Sequence, residues 1–123
     1  MAMASSLYTL VIDAHDLRAQ ARFWCGVLDW KVLYEDDAEI VIGVDESATP
    51  GITFVPVAEG KTLKNRLHID LNPDDFDAEV ARVTALGARP ADVGQSPDDP
   101  WRVLADPEGN EFCVLTPKRS LVS

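Results

Sequence analysis

His68, Asp70 and Cys113 are the side chains of this chain best suited to chemistry, with Arg66 two residues before His68. Arg66, His68 and Asp70 are spaced by two, which on a strand turns all three to one face and leaves Leu67, Ile69 and Leu71 for the other. The apolar set is expected to face a helix, so the polar trio faces a cavity, where Asp70 orients His68 to read a polar ligand. The same alternation in Glu111-Phe-Cys-Val-Leu115 groups Cys113 with Glu111 and Leu115 and places the thiol in the cavity opposite His68. A thiol assisted by an imidazole is a hydrolase-type pair, yet a cysteine in an apolar strand usually behaves as a small buried hydrophobe.

Other candidates weigh less. Trp101 follows the polar loop Ser96-Pro-Asp-Asp-Pro100 and is a candidate for a pocket rim, whereas Trp24 lies on an amphipathic helix and belongs to the core. His15 reads as a surface-loop residue. Cys25 falls in a helix and Cys113 in a strand, so both are expected as reduced thiols rather than as a disulfide framework.

The elements that position these residues follow from spacing and turn chemistry. Leu7 to Asp13 reads as a strand, and Asp16 caps a helix from Leu17 to Leu28 in which Ala19, Phe23, Trp24, Val27 and Leu28 keep helical spacing. Arg18, Gln20 and Arg22 are expected to face water. Trp30–Tyr34, Ala38–Val44 and Ile52–Val57 read as three strands, giving βαβββ. After the polar tract Glu59–Asn65, a candidate linker, come the strand Arg66–Leu71 and a helix with Phe76, Val80, Val83 and Leu86 or Gly87 on one buried face. Gly87 supplies a left-handed cap, Ala88–Val93 a short strand, and Gly94–Pro100 a loop before a closing hairpin. In that hairpin Asp106-Pro107-Glu108-Gly109-Asn110 combines a carboxylate that accepts backbone N–H bonds, a preset proline φ and a glycine that tolerates positive φ.

Shifting the first half by 59 positions lays it over the second: Leu10 and Ile12 fall on Ile69 and Leu71, Leu17 on Phe76, and Thr9 on His68. The chain of 123 residues, 46% hydrophobic, has material for one compact domain or two half-size modules. Twenty-one acids against eleven bases, a net charge of −10, argue against nucleic acid and anionic membrane and tolerate a cationic ligand. The opening Met-Ala-Met-Ala-Ser-Ser has no basic region followed by an apolar run, and no apolar stretch is long enough to cross a bilayer, so the expected location is cytoplasmic.

The repeated βαβββ order, Val11-Ile12-Asp13 through Asp16-Leu17, the Ala21-Arg-Phe-Trp24 helix leading to Leu28-Asp29-Trp30, the Arg66–Leu71 strand and the Trp101–Val114 hairpin together resemble the vicinal-oxygen-chelate superfamily, in its glyoxalase-like and bleomycin-resistance-like branch. The resemblance implies an α+β fold, two βαβββ modules (about 6–58 and 65–117) with curved mixed sheets around a shared cavity, in one glyoxalase-like domain spanning 1–123. It also implies a homodimer, and in enzymes a divalent metal held by His and Glu from the first and last strands of each module. Carried over, those slots are Thr9, Thr53 or Phe54, His68 and Cys113, and only His68 is of the usual type. A catalytic metal commonly needs about three protein ligands, so the expectation is no metal or other cofactor and a small-molecule-binding protein, with drug sequestration as one form. Its ligand-binding set is Thr9, Phe54, Arg66, His68, Asp70, Trp101 and Cys113. The alternatives are a metal-dependent lyase, isomerase or dioxygenase using a rearranged His68, Cys113 and Asp70 site, and a structural or partner-binding module.

Overall fold

The computed structural model describes residues 4–92 and 98–122. Val93, the expected end of a strand, and residues 94–97 of the following loop lie outside the described residues, as do the first three. The chain divides into two compact units, Met1–Gly60 and Lys61–Ser123, and the division falls within the tract read as a linker. Among the described residues no helix is long and apolar enough to cross a membrane.

Unit 1 runs β1 (Thr9–Ala14), α1 (Leu17–Leu28), β2 (Lys31–Glu35), β3 (Ile40–Gly43) and β4 (Gly51–Pro56). Its mixed four-stranded sheet has the order β1-β4-β3-β2, with β1 parallel to β4 and the other pairs antiparallel. Asp16 caps α1 by accepting from the Ala19 amide at 3.1 Å, and Asp29, at φ 56°, ends it by donating its own N–H to the Cys25 carbonyl. The helix buries Gln20, Ala21, Phe23, Trp24 and Val27 against Ile40, Ile42, Ile52 and Phe54. Phe23 and Trp24 meet edge to face with centroids 5.1 Å apart. Gln20 corrects one expectation. Positions 20, 23, 24 and 27 form a single stripe at 3.6 residues per turn, so helix geometry buries the amide whatever its polarity.

Unit 2 runs β5 (Ile69–Leu71), α2 (Phe76–Leu86), β6 (Arg89–Pro90), β7 (Trp101–Ala105) and β8 (Glu111–Leu115), in the order β5-β8-β7-β6 with β5 parallel to β8. The two strand orders correspond element by element, and α2 begins 59 residues after α1, the offset of the sequence repeat. Asp75 caps α2 through the Ala78 amide at 2.9 Å, and Gly87 ends it at φ 127°. Val83 is fully buried, but Leu86 is 41% exposed, so the buried face of α2 ends a turn earlier than its spacing suggests. The β7–β8 turn is centred on buried Asp106, whose carboxylate accepts from the Glu108 and Asn110 amides, while Gly109 supplies the positive φ.

Candidate functional site

β5 is shorter than the six residues expected, because its partner β8 pairs only with Ile69, Asp70 and Leu71. Arg66 and Leu67 therefore lie before the strand; both are exposed, Leu67 to 83%, and Leu67 does not pack toward a helix as expected. His68 and Asp70 nevertheless meet, with His68 Nδ1 3.0 Å from Asp70 Oδ1. Asp70 is also the register partner of Cys113 on the neighbouring parallel strand. Ligand atoms of His68, Asp70 and Cys113 thus all lie within 4.8 Å of one another. Cys113 sits beside the His68–Asp70 pair rather than opposite it. Its face is as expected, since Phe112 and Val114 are buried and Glu111, Cys113 and Leu115 are half-buried.

Burial pushes the Cys113 thiol up, the Asp70 charge and a hydrogen bond to Asp70 push it further, and Lys64 only partly opposes them. At neutral pH the sulfur is therefore a protonated donor. Asp70 takes both that thiol and His68 as partners, and the imidazole, at 52% side-chain exposure, keeps Nε2 for an incoming group. Arg66 and Trp101 are both exposed, Trp101 at the start of β7.

Glu111, absent from the expected set, fastens the segment before β5 to β8. Lys61 Nζ lies 2.9 Å and Lys64 Nζ 3.6 Å from its carboxylate, the Asn65 amide donates to the same group, and the Asn65 side chain donates to the Glu111 carbonyl. Burial acts to raise the Glu111 pKa, but Lys61, the Asn65 amide and the Lys64 charge outweigh it and hold the group below the usual glutamate value. With a folded pKa below the unfolded one, Glu111 contributes stability above the unfolded pKa and loses it as pH falls through the folded value. Urea unfolding at pH 7 and pH 4 should show a smaller acid loss in Glu111→Gln than in the parent chain. An equal acid loss in both would remove Glu111 from that role.

In unit 1 the matching positions are Thr9 and Thr53, whose hydroxyls are hydrogen-bonded to each other at 2.9 Å on the open face of the sheet. Phe54, the alternative to Thr53, points to the other face and is fully buried in the core, as strand alternation requires of its neighbour. The open face carries a cavity of about 530 Å³ lined by Thr9 and Val11 of β1, Val41 and Ile42 of β3, and Gly51, Thr53 and Val55 of β4. Gly51 lines it, and a Cβ there would meet the Ile42 carbonyl oxygen at 2.8 Å, so only glycine fits this close approach of β4 to β3.

The donor set bears on a metal. A nitrogen, a carboxylate and a sulfur on unit 2 suit a borderline, zinc-like ion rather than a hard oxygen-seeking one, and His68, Asp70 and Cys113 would hold it. Such an ion would require Cys113 to lose its proton. The paired threonine hydroxyls of unit 1 add no His or Glu, so the arrangement does not fit a centre with two such ligands from each module.

The model of the glyoxalase-like domain family matches residues 9–115. A search of curated proteins gives no match. Among solved structures, the chain is similar to a glyoxalase/bleomycin resistance protein/dioxygenase family enzyme from Burkholderia phytofirmans PsJN (20% identity, 91% of this chain and 98% of that one, TM-score 0.68). It is likewise similar to the fosfomycin resistance protein FosX from Mesorhizobium loti (21%, 97% and 96%, 0.66). A third similar structure is the trypanothione-dependent glyoxalase I of Leishmania major (19%, 92% and 87%, 0.65). At these identities the structural likeness speaks to the fold, which is the α+β arrangement of two βαβββ modules, each with one helix and a mixed four-stranded sheet.

Proposed function

The chain belongs to the glyoxalase-like family, and from that premise we propose that it binds a small molecule through side-chain contacts, without a metal, as a sequestering protein rather than a chelate enzyme. The observation that carries this reading is the hydrogen-bonding state of the slots where the family's resemblance implies metal ligands. Thr9 and Thr53 satisfy each other, and Cys113 is a protonated thiol engaged with Asp70. Each unit thus offers groups suited to hydrogen bonds, the threonine hydroxyls on unit 1 and, on unit 2, the Cys113 thiol and the Nε2 of half-exposed His68. One structure of similar fold is a fosfomycin resistance protein, which makes a drug-sized compound one ligand class to test. The proposal includes a cytoplasmic homodimer working as one domain over 1–123, with modules at about 6–58 and 65–117. Light scattering on the purified chain tests the dimer.

The second reading, a metal-dependent lyase, isomerase or dioxygenase, draws on the convergence of His68, Asp70 and Cys113 within 4.8 Å. Elemental analysis of protein purified without chelators, for the parent chain and His68→Ala, decides between the two. Thermal-shift titrations with nickel, zinc, manganese and iron(II) accompany it. We expect far less than one metal per chain and no shift with any ion. Near-stoichiometric metal that His68→Ala abolishes would overturn the proposal in favour of the enzyme.

A further inference from the structure

We infer that the open face of the unit 1 sheet takes a small organic cation with a flat apolar body. This rests on the small-molecule-binding reading and adds the chemical class of the ligand. The cavity on that face is about 530 Å³, within the span of roughly 300–1,000 Å³ usual for ligand sites. Strand alternation makes its floor apolar: Val11, Val41 and Val55 stand beside the Thr9–Thr53 pair, while Ile12, Ile40, Ile52 and Phe54 turn toward the helix side. A register shift in β2 between Val32 and Tyr34 breaks the alternation there, and consecutive residues Leu33 and Tyr34 both line the cavity. The bulge thereby adds the Tyr34 ring to a floor of valines and the threonine pair.

The rim has one sign of charge. Glu39, Asp45 and Glu46 line the cavity, and no lysine or arginine does so among the described residues. The Ser47 amide and hydroxyl, with the Ala48 amide, donate to Asp45 and hold its pKa below the ordinary carboxylate value. Lys31 is the cation whose charge reaches Asp45, one against three. Tyr8 lines the cavity beside β1 and Tyr34 lines it from β2 at the other edge of the sheet, and the Tyr34 hydroxyl donates to Asp36, which restrains the ring. Glu39 precedes β3 and Asp45 and Glu46 follow it, so a cationic group at either end of the cavity meets a carboxylate while remaining partly hydrated, and the attached ring covers the valines. A flat anion of the same size would bury the same area but meet three carboxylates on a chain of net charge −10.

The test is a fluorescence titration of the full chain with ethidium, a planar organic cation, set against 8-anilinonaphthalene-1-sulfonate, a flat anion. Ethidium should bind one site per chain, and the sulfonate at least about ten-fold more weakly. The double variant Glu39→Gln/Glu46→Gln, altered only in rim charge, should bind ethidium about five- to ten-fold more weakly, and added salt should weaken the parent similarly. Val41→Trp, which fills the floor, should abolish binding. Equal binding of both dyes, no effect of the double variant, or no ethidium binding would each overturn the inference. Equal binding of both dyes that Val41→Trp abolishes would leave the small-molecule reading standing, whereas binding that requires added metal would remove that reading as well.

Discussion

Replacing Asp106 with alanine is expected to cost about 3 kcal/mol of stability and to lower the melting temperature by roughly 10 °C. Asp106 is buried, and its carboxylate accepts from the Glu108 amide at 3.0 Å, the Asn110 amide at 2.9 Å and the Asn110 side-chain amide at 3.2 Å. Backbone bonds from the Asp106 amide to the Asn110 carbonyl, and from the Gly109 amide to the Asp106 carbonyl, close the same turn. Alanine removes every side-chain acceptor at once and leaves donors without the charged partner that offset their desolvation. Asp106→Asn keeps one acceptor oxygen and should lose about half as much. Thermal and urea unfolding of both variants measure the difference. Equal losses would mean that the charge and second oxygen, which both variants lack, set the whole cost and that the amide oxygen asparagine retains contributes nothing. The consequence reaches toward the site, because this turn sets the register of β8, which carries Cys113, against β7.

Local chemistry made much of this fold legible in advance. Asp16, the apolar spacing behind it and the break after Leu28 define α1 within the chain itself, and the observed bounds are those expected. The same holds for the Asp106 turn, whose residues serve their own backbone. Helical angle overrides side-chain polarity at Gln20, and at Leu86 the buried stripe stops where the partner surface ends. The length of β5 depends on how far β8 runs beside it, and the two are far apart in sequence. Parallel register is likewise non-local, so the contact of Asp70 with Cys113 could not be read from either strand alone. The bulge that brings Tyr34 to the unit 1 cavity leaves no turn residue in β2, and the cavity's acidic rim was therefore visible only as net charge.

Phe54→Ala should destabilise the chain by about 3–5 kcal/mol, whereas the neighbouring Thr53→Val should cost on the order of 1 kcal/mol. The contrast follows from one strand presenting opposite faces. Phe54 is wholly buried beside its register partner Ile40, so truncation leaves a void that the core cannot fill without moving. Thr53 faces the cavity and gives up one hydroxyl bond, to Thr9, with its volume nearly unchanged. Against a total stability of roughly 5–15 kcal/mol the first loss is large, and melting temperature resolves it from the second. Ligand binding should sort the variants the other way at a temperature where both are folded. Thr53→Val changes the cavity floor and should alter ethidium affinity, while Phe54→Ala should leave it near that of the parent. If Phe54→Ala proved stable and lost the dye, β4 would have to be read one residue out of register, with every floor residue exchanged for its neighbour.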